Sequence, residues 1–480
     1  MIALYILLIL LIPIIVALVR TVLLKAKPAD KKALPVSEEA KERAGKVLSD
    51  MVACPTISYV NEEDLPPFLE LHEVLEKHFP LIHEKLEKEN LNGNLIYHWK
   101  GSNEKLDPIL LIAHQDVVPA SPEGWTHPPF AGVVADGYVW GRGAFDCKST
   151  MYAVMDGVEQ VLKENYQPES DVWMAFATNE ENSGESAYEM SRLFEKRGLR
   201  FRLVLDEGGA ILEEALPGMD RPFAMVGVCE KGSMNLRFHA KGKGGHASTP
   251  PAHTPIARLA RFVQQVENKK PFKRELSYVV GSMMERTAPY MPFLMRFLFG
   301  NLWLTAPLLK LVMPKASPFG EAIMATTMVF TMAEGSDTEN VIPASASVTS
   351  NLRPIQHQQC QDSIAALRPL AEENELEIEV LMERDPSPIS NIDDPRYAKL
   401  EELILQDFPD CGTAPYVVMA GTDARHYTVV SDMVLRFQPI RVSNEELSAM
   451  HGIDERVSVE ALAEGSRFIS NLIKSFTKEE

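Results

Sequence analysis

Histidine and carboxylate side chains follow three apolar segments of this chain, and such side chains could together bind a metal ion. The three segments are residues 108–113 (PILLIA), 171–178 (DVWMAFAT) and 201–205 (FRLVL). The residues that follow them are His114 and Asp116, Glu180 and Glu181, and Asp206. Each residue alone is typical of a cap, a turn or a solvated loop. Three segments that all end in imidazole or carboxylate groups supply the ligand types that zinc prefers, and they predict a metal site.

The segments that must position these side chains have the length and composition of buried β-strands. A helical pattern over 149–162, with Met151, Val154 and Val158 on one face, lies between the first two segments. Apolar strands that alternate with helices predict an α/β sheet covered by helices on both faces. In such sheets ligands bind beyond the carboxyl ends of the strands, where the candidate ligands stand.

Length and composition limit the classes of protein that the chain could be. Its 480 residues exceed one ordinary domain, because single cores stop growing near roughly 250–300 residues, so we expect two domains. The 48 Lys and Arg against 67 Asp and Glu give a formal net charge of −19 without a basic run, which argues against nucleic-acid binding. Five scattered cysteines without a CxxC pair argue against a disulfide framework and a thiolate zinc finger.

The first segment of the chain predicts a single-pass membrane anchor. Residues 2–19 carry no charge and as a helix would span about 27 Å, close to the thickness of a bilayer. The alternative is a cleaved signal peptide, but a basic start, a shorter core and a small-residue cleavage site are not evident. A linker over 20–36 and a helix with Ser37 as its N-cap would follow the anchor. Basic residues follow the anchor and none precedes it, which favours a cytoplasmic catalytic part.

Ten short motifs, in their order along the chain, resemble those of one enzyme family. They are LLIAHQDVVP, GWTHPPFAG, GRGAFDCKS, ATNEENSG, LDEGG, EKGSMNLRFHAKGKGGHASTP, ENVIP, NLRP, AGTDARHY and HGIDE. From about residue 37 to 475 the chain resembles the zinc-dependent exopeptidases that include aminoacylase and carboxypeptidase S. It is most similar to the branch of Gly-Xaa carboxypeptidase and the N-fatty-acyl-amino-acid synthases/hydrolases. The resemblance implies an α/β domain with two zinc ions per subunit, in which a mixed sheet is flanked by helices.

The resemblance also implies a role for each candidate ligand. The metal ligands would be His114 and Asp206 for one ion, Glu181 and His451 for the other, and Asp146 as the bridge between them. Two zinc ions need such a bridging carboxylate, and together they lower the pKa of a shared water. Glu180 would be the general base, and Asp116 would accept a hydrogen bond from the second ring nitrogen of His114. Cobalt and manganese are alternative metals for a carboxylate-rich site.

A lid domain inserted in the catalytic domain is also implied by the resemblance. The catalytic domain would comprise 38–232 and 385–480, and the α+β lid 233–384 would form a homodimer and close over the substrate. His246 would stabilise the oxyanion, and in dimeric members of the family it reaches the site of a neighbouring subunit. The residues implied to bind the substrate carboxylate are Asn340 and Arg353 in the lid and Gly421 in the catalytic domain. Without the resemblance, His246 would be interpreted as a polar loop residue and Arg353 as a surface ion pair.

Residues 290–314 within the predicted lid are unusually apolar and aromatic. In one interpretation they line a pocket for an acyl chain, through Phe293, Phe297 and Leu304, or dip into the membrane beside the anchor. In the other they form a core or dimer-interface helix. Proline and glycine residues within the segment predict several short helices rather than one membrane span.

Two classes of function are consistent with these observations. The first is a metallohydrolase that cleaves the amide bond next to a free α-carboxylate. Its substrates would be N-acyl amino acids, including long-chain ones, or, as the alternative, Gly-Xaa dipeptides. The second is a membrane-tethered scaffold that keeps the fold without catalysis. Substitution of Glu180 by Gln discriminates between the two classes, because it removes only the base.

Overall fold

The structure of the protein is a computed structural model that describes residues 2–24, 26, 33–59, 65–182, 184–219 and 221–479, with side chains from residue 11 onward. The α-helices are α1 (Ile2–Leu23), α2 (Glu38–Val52), α3 (Pro66–His78), α4 (Pro80–Lys85), α5 (Lys148–Lys163), α6 (Glu185–Lys196), α7 (Pro255–Lys269), α8 (Tyr278–Thr287), α9 (Phe293–Gly300), α10 (Leu302–Ala316), α11 (Pro318–Ala322), α12 (Cys360–Glu373), α13 (Pro395–Asp407), α14 (Asn444–Ala449) and α15 (Val459–Phe476). Short 3-10 helices are Glu180–Asn182, Ala288–Tyr290 and Asp423–Val429.

The strands lie singly or in runs between these helices along the chain. They are β1 (Glu87–Leu91), β2 (Asn94–Trp99), β3 (Ile109–His114), β4 (Val133–Ala135), β5 (Tyr138–Trp140), β6 (Val172–Ala177), β7 (Leu203–Asp206), β8 (Ile211–Leu212), β9 (Phe223–Glu230), β10 (Ser233–Lys241), β11 (Gly245–His246), β12 (Thr327–Glu334), β13 (Val341–Ile342), β14 (Ser345–Arg353), β15 (Leu376–Arg384), β16 (Gly412–Val418), β17 (Val434–Arg436), β18 (Arg441–Val442) and β19 (Arg456–Ser458). The three apolar segments and the predicted helix correspond to β3, β6, β7 and α5.

A mixed ten-stranded sheet forms the centre of the larger body. Its order is β1-β2-β6-β3-β7-β17-β9-β8-β18, with β16 paired to β9. β3 lies between β6 and β7 and is parallel to both. All three strands are buried because apolar side chains occupy both of their faces. Helices α5 and α15 cover one face and α6 covers the other, so the predicted α/β sheet is present.

The parallel arrangement brings the predicted site residues to one edge of the sheet. His114 at the end of β3 pairs in register with Ala177 at the end of β6. β7 runs parallel on the other side of β3, and it ends at Asp206. The carboxyl ends of the three strands therefore meet, as the sequence predicts.

A smaller sheet has a core of its own. Its order is β12-β14-β10-β15, and its apolar face packs on α7 and α12. These elements lie within the predicted lid 233–384. The apolar segment 290–314 does not pack on this smaller sheet. Its residues Phe299 and Leu309, and Met283 of the preceding helix α8, are part of the core of the larger body. The division into 38–232, 385–480 and 233–384 stays a prediction, and by its packing the segment belongs to the larger body.

The N-terminal segment forms α1, followed by α2, whose N-cap is Ser37 as predicted: its Oγ accepts from the Ala40 N–H at 3.2 Å. Among the described side chains, no single helix is long and apolar enough to cross a membrane. In α1, the apolar stretch with described side chains is Leu11–Leu23, which is shorter than a membrane span. Helices α9 and α10 are long and apolar enough only when taken together, and they are bent by 108° relative to each other. The anchor over 2–19 and its orientation stay predictions, and much of the predicted linker, including its lysines, lies outside the described residues.

Candidate metal centre

Asp146 lies between two histidine rings. Its Oδ1 is 3.0 Å from His114 Nε2, and its Oδ2 is 3.1 Å from His451 Nε2. The same nitrogen of His451 is 3.1 Å from Glu181 Oε1. Ligand atoms of His114, Asp146 and Cys147 lie within 4.8 Å of one another, and so do those of Asp146, Glu181 and His451. Asp146 therefore joins two adjacent groups of ligands, as a bridging carboxylate would.

The orientation of the His114 ring is set by Asp116. His114 Nδ1 is 3.0 Å from the backbone oxygen of Asp116 and 3.3 Å from its Oδ1. The buried Asp116 carboxylate also accepts from the backbone N–H groups of Glu180 and Glu181, both at 3.1 Å. One carboxylate thus fixes the turn after β6 and the ring at the end of β3. With Nδ1 held by an acceptor, Nε2 is left to bind a metal ion.

A residue that sequence reasoning missed, Glu455, holds the backbone around Asp146. Glu455 Oε1 accepts from the N–H groups of Phe145 and Asp146, at 2.9 and 3.0 Å. Its Oε2 accepts from Arg142 Nη1 at 2.6 Å, so this fully buried carboxylate is paired. The signal in the sequence was its place four residues after His451, in the motif HGIDE.

His451 lies in a loop that is held in an uncommon conformation. Its φ of 58° is in the left-handed region, which residues other than glycine rarely adopt. Thr126 donates to the Asp454 carboxylate through its backbone N–H and its Oγ1, at 2.7 and 2.8 Å. These two hydrogen bonds tie the loop that contains His451 to the segment around Thr126. Hydrogen bonds to Asp146 and Glu181 raise the pKa of His451 to about 10. The two carboxylates therefore stabilise a positive charge at His451 Nε2, carried either by the protonated ring or by a bound cation.

Glu180 lines the same cavity but belongs to neither group of ligands among the described residues. It begins the short 3-10 helix that follows β6. Burial raises the pKa of its carboxyl well above the ordinary value, and the nearby carboxylates of Asp423, Asp146 and Glu181 raise it further. A carboxyl group with a raised pKa is suited to accept and return a proton near neutral pH.

The structure distinguishes Asp206 from its neighbour Glu207. Both carboxylate oxygens of Asp206 accept backbone hydrogen bonds, from Glu207 at 2.8 Å and from Ala424 at 2.7 Å. Glu207 lines the cavity, and burial together with Asp146 and Asp206 raises the pKa of its carboxyl well above the ordinary value. Asp206 as a ligand stays a prediction. The hydrogen bonds favour Glu207 for that position, with Asp206 bracing the loop behind it.

Asp423 is a second buried acid that sequence reasoning missed. Neither of its carboxylate oxygens has a hydrogen-bond partner among the described residues, and burial, with Asp206 nearby, raises its pKa to about 8. A Cβ on Gly184 would lie 2.7 Å from Asp423 Oδ1, so a larger residue would collide there. Asp423 thus packs directly beneath the loop that follows Glu180 and Glu181.

The set of donor atoms fits divalent metal ions. Histidine nitrogens and carboxylate oxygens converge on Asp146 from both sides, and these are the usual ligands of zinc. Burial raises the pKa values of Glu207 and Asp423 and neighbouring carboxylates raise them further, so additional positive charge would stabilise their ionised forms. A bound cation would supply the missing positive charge.

One cavity of about 1100 Å³ contains this centre and two other kinds of surface. Its cationic residues are Lys231, Arg353, Arg384 and Arg425. Its large apolar residues include Leu212, Leu216, Met225, Met283, Phe319 and Leu447. Arg353 and Gly421 line this cavity, and their predicted role in binding a substrate carboxylate stays a prediction. A Cβ at Gly421 would come within 2.3 Å of Arg425 Nη1. Lys231 and Arg384 were not foreseen.

His246 and Asn340 lie elsewhere. The short strands β11 and β13 pair in an exposed ribbon, where the Ala247 N–H donates to the Asn340 carbonyl oxygen at 3.0 Å. The exposed His246 ring has its Nδ1 2.8 Å from Ser248 Oγ. Neither predicted residue lines the cavity. Within one chain the structure does not bring them to the metal centre, and their roles stay predictions.

The interpretation of residues 290–314 as the wall of an acyl pocket is wrong for the described cavity. Phe293, Phe297 and Leu304 are not among its lining residues. The segment is instead flanked by two residues that do line it, Met283 in α8 and Phe319 in α11. Part of the apolar surface of α9 and α10 faces solvent instead, including Phe293, Trp303 and Leu311.

Comparisons with known proteins agree with this geometry. The profile of "Peptidase family M20/M25/M40" matches residues 110–475. The chain is 35% identical over 438 residues to "Probable carboxypeptidase S-like 2" of Dictyostelium discoideum, with 88% of this chain and 83% of that protein covered. It is 32% identical over 450 residues to "N-fatty-acyl-amino acid synthase/hydrolase PM20D1" of Homo sapiens, with 92% and 89% covered. The solved structure of the "M20 family metallo-carboxypeptidase Sso-CP2" from Sulfolobus solfataricus matches with a TM-score of 0.66 at 17% identity, covering 92% of this chain and all of that one.

A mixed α/β sheet with His114 and several acids at the carboxyl ends of its parallel strands, joined there by His451 from a loop, is an arrangement suited to a metal-dependent hydrolase. The chain belongs to peptidase family M20/M25/M40. The predicted family and the predicted class of enzyme, one that acts on C–N amide bonds, are thereby confirmed.

Proposed function

We propose that this enzyme uses two zinc ions to cleave the amide bond next to a free α-carboxylate, and that its substrates are N-acyl amino acids with lipophilic acyl groups. The observation that carries the proposal is the composition of one cavity. It contains the ligands around Asp146, a group of four cations and a set of large apolar side chains. A substrate with a scissile amide, a carboxylate and an apolar chain would find a partner for each part.

The residues that would hold the two ions are His114, Asp146 and Glu207 or Asp206 for one, and Asp146, Glu181 and His451 for the other. When bound, a pair of such ions lowers the pKa of a shared water and polarises the amide carbonyl. Asp116 and Glu455 keep the ligands in place through the hydrogen bonds described above. Cobalt and manganese would fit the same donors.

Glu180 would move the proton of the reaction. It lies in the cavity, beside the ligands without being one of them, and its pKa is raised by burial. Its carboxylate would take a proton from the attacking water and its carboxyl group would then deliver that proton to the leaving nitrogen. Both transfers occur at the same side chain, so the site needs no second acid.

The cations would bind the substrate carboxylate. Burial and the nearby Arg425 lower the pKa of Arg353. Burial, with Arg353 nearby, lowers the pKa of Lys231 to about 7. Glu230 faces Arg425 at 3.7 Å but is shared with Arg436, at 3.0 Å. Because the described residues of this group carry more positive than negative charge, a carboxylate would bind there with favourable electrostatics.

The apolar lining and the name of the human relative both favour a lipophilic acyl group. Phe319, Met283 and Leu216 offer a surface that a glycyl residue would not use. The Dictyostelium relative is named as a carboxypeptidase, so a Gly-Xaa dipeptide is the alternative substrate. The predicted single-pass anchor with a cytoplasmic catalytic part would place the cavity near membrane lipids, and it is part of this proposal.

Relative rates on two substrates test the proposal. The zinc-loaded full chain in detergent would be assayed for kcat/KM on N-lauroyl-phenylalanine and on glycyl-phenylalanine, with Glu180→Gln as the blank. Faster cleavage of the lauroyl compound is expected. Faster cleavage of the dipeptide would assign the enzyme to the carboxypeptidases, and no turnover of either above the blank would favour the scaffold.

A further inference from the structure

The outer surface of α9 and α10 exposes large apolar side chains. Those at least about half exposed are Phe293, Leu294, Trp303, Leu308, Leu311 and Val312. Exposed apolar patches of this kind are uncommon on soluble monomers and mark surfaces that contact a partner or a lipid. The two helices are fixed to the larger body on their other side, because Phe299 and Leu309 are buried in its core.

Helix α1 extends this surface. It packs on α9, with Ala17 and Thr21 buried at the contact. Asn301, between α9 and α10, donates from Nδ2 to Thr21 Oγ1 at 2.9 Å. The remaining described apolar side chains of α1 are exposed: Leu11, Ile12, Ile14, Ile15, Val16, Leu18, Val19, Val22 and Leu23. The three helices therefore present one apolar region that is held together by a buried hydrogen bond.

The charges on this region are all of one sign. Residues 11–23 of α1, together with α9 and α10, contain no Asp or Glu, and their charged residues are Arg20, Arg296, Lys310 and Lys315. The whole chain, in contrast, has a formal net charge of −19. Lysine and arginine beside apolar surface can extend to lipid phosphates, and tryptophan is enriched at the level of the lipid headgroups. A second copy that packed through the same face would bring these like charges together, which is unfavourable.

We propose that α9 and α10 insert beside α1 into one leaflet of a lipid bilayer, with Trp303 at the depth of the upper acyl chains. The 108° bend suits a helix pair that enters and leaves the same face of a membrane. Met283 and Phe319, on either side of the pair in the chain, line the substrate cavity. The cavity would therefore be supplied with lipophilic substrates from the membrane, a consequence that rests on the proposed function, whereas the insertion itself does not.

Fluorescence of Trp303 tests the insertion without any turnover. The full chain would be reconstituted into phosphatidylcholine vesicles with ordinary or dibrominated acyl chains, since bromine quenches only nearby indoles. Trp99 and Trp173 are buried, while Trp125, which lies over Arg142, and Trp140 in β5 are partly buried. The quenching that depends on α9 and α10 is therefore the part that should disappear in Trp303→Phe. Equal quenching of both proteins, or no quenching of vesicle-bound protein, would show that α1 alone holds the membrane and would overturn the proposal.

A matched pair of charged variants supplies a second readout. Leu311→Glu in α10 should weaken partition into the same vesicles about tenfold, because it removes about one buried apolar side chain from the lipid. Leu69→Glu changes a similarly exposed leucine of α3 in the larger body and should leave partition unchanged. Equal effects of the two substitutions, or concentration-dependent dimers that Leu311→Glu abolishes, would assign the surface to contacts between copies of the chain instead.

Discussion

The metal centre and the ribbon of β11 and β13 both carry residues that the same family resemblance singles out, yet the structure treats them differently. At the metal centre, His114, Glu181 and Asp146 are each held by carboxylate or backbone groups of the same body. His246 and Asn340 stand on an exposed ribbon and touch none of these groups. The described groups that orient the candidate ligands thus belong to one chain, whereas the roles predicted for His246 and Asn340 stay predictions that would require a second surface.

The largest effect on activity should follow from substitution of Asp146 in the metal centre. Asp146→Asn removes the charge of the carboxylate that faces both His114 and His451. We expect the zinc content to fall below two per chain and kcat/KM to fall by about 10³-fold or more, since a catalytic metal ion contributes several kcal/mol. Elemental analysis beside the N-lauroyl-phenylalanine assay measures both. Two bound zinc ions with retained activity would contradict the bridging role.

The ribbon can be tested by mixing two inactive variants. His246→Ala should lower kcat by about 10²- to 10³-fold, as expected for the loss of an oxyanion donor. If His246 acts in the site of a second copy, subunit exchange between His246→Ala and Glu180→Gln should restore about a quarter of the activity, because mixed dimers contain one intact site. Failure to restore activity, with exchange shown by cross-linking, would place His246 in its own site or in none.

Substitution of two phenylalanines, one in the cavity and one on the outer surface of α9, distinguishes the roles of these two surfaces. Phe319 lines the cavity, whereas Phe293 is more than half exposed and does not. Phe319→Ser should lower kcat/KM for N-lauroyl-phenylalanine about tenfold more than for N-acetyl-phenylalanine, since it removes apolar contact with the long chain only. Phe293→Ser, assayed in detergent, serves as the matched control and should not change this ratio. The reverse pattern would restore the acyl-pocket interpretation of 290–314.

The smallest effect concerns stability rather than activity. Burial lowers the pKa of Lys231 from 10.5 to about 7, while its Nζ donates to the carbonyl oxygens of Ala322 and Ala325, both at 2.9 Å. Between these pH values the unfolded chain binds more protons than the native one, so the free energy of unfolding should rise with pH. Lys231→Met should reduce this rise by at most about 1.4 kcal/mol per pH unit.

Urea unfolding at pH 7 and pH 9 checks the expectation for Lys231. The exposed Lys105→Met serves as the control, because it should leave the pH dependence as it is in the unchanged protein. An unaltered pH dependence in Lys231→Met would show that the amine is not desolvated in the native state.

The sequence was sufficient to predict which residues lie at the carboxyl edge of the sheet. It was insufficient to predict which residues from distant parts of the chain also reach that edge. His114 and Glu181 could be placed together because parallel apolar strands bring their carboxyl ends to one side. His451 arrives on a distant loop, so only the resemblance indicated it. Adjacent residues at a strand end point to opposite sides, and the sequence does not show which of Asp206 and Glu207 faces the cavity.

Other features depend on long-range packing. Lys231 and Arg384 reach the cavity from the ends of strands in different sheets, and no local pattern marks them. The sequence places Glu455 in the motif HGIDE with His451, but its role follows only from its hydrogen bonds to the Asp146 backbone. The apolar segment 290–314 was correctly expected to break near Gly300, where α9 ends, but Pro307 lies inside α10 and does not interrupt it. Its hydrophobicity alone does not distinguish a pocket wall from an outer surface.

Turnover by Glu180→Gln tests the central claim most directly. Zinc-loaded full chain and variant would be compared on N-lauroyl-phenylalanine, with bound zinc measured in both. The substitution keeps the shape of the side chain and removes its ability to take a proton, so kcat should fall by about 10²- to 10⁴-fold while zinc content stays at two per chain. Turnover equal to that of the unchanged protein would contradict the assignment of Glu180 as the base.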